Sequence, residues 1–149
     1  MNNVKPMAPR TRFYRHMALL SHLALIAWMA IWYFLLGSKF DYSVTFILLV
    51  YIVPLLLPLR GVILAKPYTH AWACFIVLYY FLHAITVLYA EPAFRWHAGL
   101  ELFLATTMFI GCSLFARLRG SELGTSLKKL SEVMKEEKNY FEKEKTSSK

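Results

Sequence analysis

Apolar residues in this chain fall into four long blocks, at 17–36, 42–59, 68–90 and 98–118, separated by short polar stretches. A bilayer core of about 30 Å is crossed by about 20 helical residues rising 1.5 Å each, with a working range of about 17–25. All four blocks have that length. Strands are a poor alternative, because a membrane barrel needs alternating polar and apolar positions and at least about eight crossings. A lipid-embedded backbone must satisfy its own hydrogen bonds, so the pattern predicts four transmembrane helices. The first block follows Lys5, Arg10, Arg12 and Arg15, as a secretory signal would. It is longer than a signal's apolar region, and Gly37-Ser38-Lys39-Phe40-Asp41-Tyr42 after it has no small-x-small cleavage site, so it is expected to stay as a signal anchor.

Lys and Arg near the span ends set the expected orientation, since cytoplasmic loops carry their excess. Lys5, Arg10, Arg12, Arg15, Arg60, Lys66, Arg117 and Arg119 fall on one side, against Lys39 and Arg95 on the other. Both termini are thus expected in the cytoplasm. Trp32, Tyr33, Tyr42, Tyr89 and Trp96 gather toward the opposite, outer ends of the spans, where interfacial aromatic anchors sit.

Composition sharpens this picture. The chain of 149 residues is 58% hydrophobic and 17% charged, which fits poorly with a cytosolic enzyme, a secreted disulfide scaffold, a solenoid or a disordered tail protein. The net charge of +8 is concentrated in residues 1–120, which carry ten basic and three acidic groups. It is largely topogenic, and a nucleic-acid partner, which would need a basic patch on a folded face, is not expected. Cys74 and Cys112 lie in separate spans with no second cysteine near either, and they read as small apolar fillers.

Ionisable residues inside spans are the default functional candidates of a membrane protein. Glu101 is the one acid well inside an apolar block, with His97 four residues earlier on the same helical face, where the two can interact. One reading is a proton or cation group near the outer leaflet; the other is a carboxylate reaching the interface to bond His97 or Arg95. His83 lies beneath the outer leaflet in the third block, and His22 and His70 lie toward the cytoplasmic ends of the first and third. Each can hydrogen-bond across helices. No H-x-x-x-H or H-E-x-x-H spacing occurs, and His97 with Glu101 is too small a set for zinc, so no metal, cofactor or catalytic residue is expected. Pro54 and Pro58, one turn apart in the second block, should weaken that helix and free the carbonyls of Val50 and Pro54, either as a tolerated kink or as the break that marks a substrate path. Between the second and third blocks, Arg60 and Lys66 bracket an apolar stretch expected in the interface plane. They could grip anionic lipid headgroups at about 1 kcal/mol each, although the positive-inside rule alone accounts for them.

After Gly120 the composition turns polar, and Leu123, Leu127, Leu130, Met134 and Phe141 recur at four- and three-residue spacing with a flaw at Glu137. That seam predicts a cytoplasmic amphipathic helix within 119–149, able to dock a protein partner or a second copy. The fold expected is therefore an all-α integral membrane four-helix bundle with both termini inside and an added C-terminal amphipathic helix, preceded by a basic N-terminus at 1–16.

At Tyr51-Ile52-Val53-Pro54-Leu55-Leu56-Leu57-Pro58-Leu59-Arg60-Gly61, Pro67-Tyr68-Thr69-His70-Ala71-Trp72-Ala73 and Tyr79-Tyr80-Phe81-Leu82-His83-Ala84 the chain resembles a known family. This is the proteobacterial family of predicted inner-membrane proteins called domain of unknown function 2069, and the resemblance spans roughly residues 15–118. It implies a bacterial inner-membrane location and four spans, and it brings no catalytic residue. The function expected is that of a small non-enzymatic accessory or scaffold protein of the inner membrane. The alternative is a small oligomeric transporter or lipid-handling protein with Glu101, His83, Pro54 and Pro58 along its path. Its weak point is a first span without an acid.

Overall fold

A computed structural model of the chain describes residues 6–36 and 42–124. Four long helices fill them. The first, α1, is Pro9–Ile31 and continues as a π-helical turn, Trp32–Leu36. The second, α2, is a continuous helical rod over Val44–Ile63, and α3 is Pro67–Ala90. A 3-10 turn at Pro92–Phe94 leads into α4, Arg95–Glu122. Proline marks several of these starts: Pro9, Pro67 and Pro92 each stand in an opening turn, where the missing N–H would have had no partner in the helix. Ser43 caps α2 by accepting the Phe46 N–H at 3.2 Å.

The helices run up and down in turn, as pairs of residues equidistant from each reversal show. Tyr33 stacks on Tyr51, the His70 ring lies tilted against Phe115, and Thr11 bonds Glu122. Helix α4 packs most extensively on α1 and α3, while α2 closes the bundle against both α1 and α3. Leu25 and Met29 from α1, Leu55 from α2, Val77 and Tyr80 from α3, and Met108 and Cys112 from α4 are fully buried. Ala18, Ala73, Ala84, Ala98 and Ala105 are fully buried with them, and Gly111 is also buried. Small residues at the contacts let backbones approach closely, which is how helices associate where lipid removes the hydrophobic difference between in and out. Phe13, Leu20, Leu57, Phe75, Leu82 and Phe103 point outward instead. Such a belt is intolerable in water and required in a bilayer.

Helix α2 answers the question its prolines raise. Its α-helical turns at Val44–Ile47 and Val53–Ile63 flank a π-helical turn, Leu48–Ile52, in which the Val53 N–H reaches back to the Leu48 carbonyl. Pro54 has no N–H and its ring crowds the carbonyl one turn back, so the ladder slips by one residue before it. The carbonyls bonded from other helices are not those of Val50 and Pro54 but of the residues that follow them. Tyr51 accepts from the Tyr80 hydroxyl at 2.8 Å, and Leu55 is bonded by His22 Nε2 at 2.8 Å. Pro58 is buried within the helix. The stretch expected in the interface plane continues α2 as far as Ile63 and then turns at Leu64–Lys66.

One part of the expected fold is corrected. Among the described residues there is no separate fifth, cytoplasmic amphipathic helix. The change of composition at Gly120 is not a helix boundary: Arg119 and Gly120 are buried inside α4, which runs on to Glu122. Leu123, expected as the first residue of a new seam, closes α4 instead, its N–H bonded to the Arg119 carbonyl at 3.0 Å. What prolongs α4 is tertiary. Glu122 receives Arg119 at 2.8 Å, the Thr11 hydroxyl and the Ala8 N–H at 3.2 Å, so the last turn of α4 caps the first turn of α1. Leu127, Leu130, Met134 and Phe141 lie outside the described residues.

Candidate functional site

The densest polar arrangement inside the bundle lies near the end that carries the α3–α4 turn. Short turns place residues equidistant from them at the same depth, and His83 and Glu101 stand nine residues either side of Pro92. They meet: His83 Nδ1 lies 2.9 Å from Glu101 Oε1 and 3.0 Å from Oε2. The other ring nitrogen, Nε2, lies 3.0 Å from the Tyr33 hydroxyl of α1. Three helices are thus joined through one imidazole. With Nδ1 protonated, the ring donates to the carboxylate whether it is neutral or charged; Nε2 accepts from the Tyr33 O–H in the first case and donates to its oxygen in the second.

Aromatic rings enclose this chain. Tyr51 of α2 stacks on Tyr33 at 4.4 Å between centroids and meets the His83 ring edge-on at 5.0 Å. Trp32 covers another side at 5.9 Å from His83. Glu101 is entirely buried, while the His83 side chain keeps 13% of its exposure. A carboxylate so placed is costly unless bonded, and the Nδ1–H shared between its two oxygens supplies that bonding. The arrangement can therefore clamp α1, α3 and α4 together, or pass a proton along Tyr33, His83 and Glu101.

The structure brings Glu101 and His83 together and separates His97 from both. His97 turns to the aromatic wall, stacked on Trp28 at 5.7 Å and lying 5.6 Å from Trp32. Its Nδ1 has no hydrogen-bond partner, whereas its carbonyl accepts from Trp28 Nε1 at 3.3 Å. Trp28, His97, Gly99 and Leu100 line an open cavity of about 580 Å³, which is not lined by Glu101. Pro54 and Pro58 shape α2, as described above. Arg60 and Lys66 stand together at the opposite end of the bundle, on a cavity of about 400 Å³ between α2 and α3. Among the described residues no three His, Cys, Asp or Glu side chains gather as metal ligands, and Cys74 and Cys112 are free thiols. Tyr33, Tyr51 and Trp32 are the participants that sequence reasoning misses: the first and last read as interfacial anchors. The usable signal is the hairpin symmetry that puts 33 level with 51 and 83 level with 101.

Four antiparallel apolar helices, an outward belt of large apolar side chains and polar groups knotted inside define a multi-pass α-helical membrane protein. The chain belongs to the predicted membrane protein family DUF2069, whose family model matches residues 17–120. It is accordingly a small, all-helical, multi-pass inner-membrane protein in contact with the lipid bilayer, of a family without an assigned activity. No curated protein and no solved structure matches the chain.

Proposed function

We propose that the protein is a non-enzymatic accessory or scaffold subunit of a larger complex in a bacterial inner membrane, with both termini in the cytoplasm. The observation that carries this reading is how the polar groups within the spans are used. Glu101 and Tyr33 bond His83, His22 bonds the Leu55 carbonyl, and Tyr80 bonds the Tyr51 carbonyl. Each is an interhelical tie that fixes one arrangement of the bundle. Neither the cavity beside Trp28 nor that beside Lys66 is lined by Tyr33, Glu101 or His83, so these groups serve packing in this reading. A rigid bundle presents a constant surface, which is what an accessory subunit requires. The orientation rests on the eight-to-two division of Lys and Arg between the two ends. The partner contact is assigned to the tail residues Leu127, Leu130, Met134 and Phe141, apolar positions in a polar stretch.

Crosslinking of the tagged protein in native membranes, followed by mass spectrometry, tests this with the full chain and with a chain lacking residues 125–149. A specific membrane partner lost on truncation is expected. Self-crosslinks alone, unchanged by truncation, would overturn the accessory role. They would favour the second reading, an oligomeric proton-linked transporter, whose support is the unbroken hydrogen-bonded chain from Tyr33 through His83 to Glu101.

A further inference from the structure

Helix α2 reverses into α3 through a tight turn. Ala65 takes a left-handed conformation with φ 54°, and the Ala65 and Lys66 N–H groups bond back to the carbonyls of Val62 at 3.1 Å and Gly61 at 3.0 Å. The two helices then lie so close that a Cβ on Gly61 would overlap the Thr69 side chain. Beside this contact the cavity of about 400 Å³ is walled by Arg60, Lys66 and Thr69, with Leu57, Leu64 and Trp72 completing it. A second cavity of about 380 Å³ shares Arg60 and Leu64 and extends the first along Leu56 and Ile63.

The polar wall is unbalanced. Neither the Arg60 guanidinium nor the Lys66 ammonium has a hydrogen bond or ion pair with any described residue. The carboxylates among the described residues are committed or distant: Glu101 to His83, Glu122 to Arg119 and Thr11, and Glu91 at the far end of α3. Thr69 adds an independent observation. Ser21, Thr86, Thr106 and Thr107 each satisfy their hydroxyl on the carbonyl four residues back. Thr69 stands in the first turn of α3, where the residue four back is outside the helix. It is only 8% exposed, its hydroxyl has no partner, and it faces the cavity. A hydroxyl without a protein partner, on a residue otherwise buried but open to the cavity, beside two exposed cations without a carboxylate, suits an anion.

We propose that this groove is a binding site for one anionic phospholipid. Its phosphate is held by Arg60, Lys66 and the Thr69 hydroxyl, and an acyl chain runs along Leu57, Leu64, Leu56 and Ile63. The apolar continuation at the membrane boundary selects a lipid over a free phosphate, and Gly61 keeps Thr69 in place by having no side chain. The site is independent of the accessory role.

Native mass spectrometry of the full-length protein, released from micelles containing phosphatidylglycerol and phosphatidylcholine at equal amounts, reads the retained lipid. Wild type is expected to keep one phosphatidylglycerol in preference to phosphatidylcholine. The double variant Arg60→Gln/Lys66→Gln should lose that preference by about 30-fold. Thr69→Val should lower it by about 3- to 10-fold, and Thr69→Ser should restore it. Arg117→Gln, which removes an exposed cation near the same end of the bundle, should leave it unchanged. Equal retention by wild type and the double variant would overturn the proposal. So would an equal loss in Arg117→Gln, which would reduce the effect to general surface charge, or full displacement of the lipid by millimolar inorganic phosphate, which would make this a small-anion site. Should the double variant not fold, the Thr69→Val and Thr69→Ser pair decides alone.

Discussion

Gly111 sits where α4 crosses α1, and replacing it by alanine tests the packing directly. A Cβ there would lie 2.9 Å from the Ala18 backbone nitrogen, 3.0 Å from its Cα and 3.1 Å from its Cβ. Non-bonded carbons settle at about 3.5–4.0 Å, so the helices must part by roughly 0.5–1 Å, and a gap of that size forfeits a quarter to a half of each dispersion contact along the seam. The obstructing atoms belong to a backbone, which no rotamer change removes. Overpacking of this kind costs about 1–3 kcal/mol, against which alanine gains about 0.5–1 kcal/mol over glycine within a helix. Gly111→Ala should therefore destabilise by about 1–2 kcal/mol net. Gly99 supplies the control, since nothing lies within 4 Å of a Cβ placed on it. Gly99→Ala should keep the helical gain and add no clash. Thermal unfolding in a mild detergent, followed by tryptophan fluorescence, should place Gly111→Ala several degrees below wild type and Gly99→Ala at or above it. Equal midpoints for the two variants would refute the close approach of α1 and α4.

The polar ties carry their own expected outcomes. A double-mutant cycle on Glu101→Gln and His83→Gln should give a coupling near the upper end of the range for hydrogen bonds in membranes, about 1.5 kcal/mol, because the Glu101 carboxyl is wholly buried; a value under about 0.5 kcal/mol would mean that the pair does not clamp the helices. Tyr80→Phe leaves the Tyr51 carbonyl without its donor and should cost about 0.5–1.5 kcal/mol. An unchanged unfolding midpoint in Tyr80→Phe would show that the Tyr51 carbonyl does not depend on that donor. Ala65→Gly removes the strain of a left-handed alanine and should raise the unfolding midpoint, corresponding to about 1 kcal/mol; a lower midpoint would contradict the turn geometry.

The four helices are legible in the sequence because a bilayer imposes a length on any segment that crosses it, and four blocks of about 20 apolar residues in one short chain match that length. Partners across the bundle are not legible in the same way. For Glu101, reasoning along one helix finds His97 four residues away, because spacing on a single rod is the periodicity a sequence displays. The actual partner, His83, depends on how α3 and α4 rotate against each other, which no single helix encodes. The weakening at Pro54 is visible while the π-helical turn before it is not, since proline chemistry predicts a broken ladder and not how the ladder rejoins. The end of α4 is misplaced by composition because polarity reads as a stop signal, whereas Glu122 holds that turn in place through contacts with α1. Arg60 and Lys66 are visible as charges, and Thr69 escapes notice because its distinction lies in the partner it lacks.

The pairing of α1 with α4 also bears on how the protein is made. Ala18 and Gly111 are about 90 residues apart, and at about 5–20 residues per second the ribosome needs roughly 5–20 s to supply the second after the first. Throughout that interval the small-residue face of α1, with Ser21 and His22 upon it, has no α4 to pack against. The first span must wait in the bilayer or beside the insertion machinery, and the chain gains its closed ring only when the last helix arrives and Glu122 seals the beginning of the first.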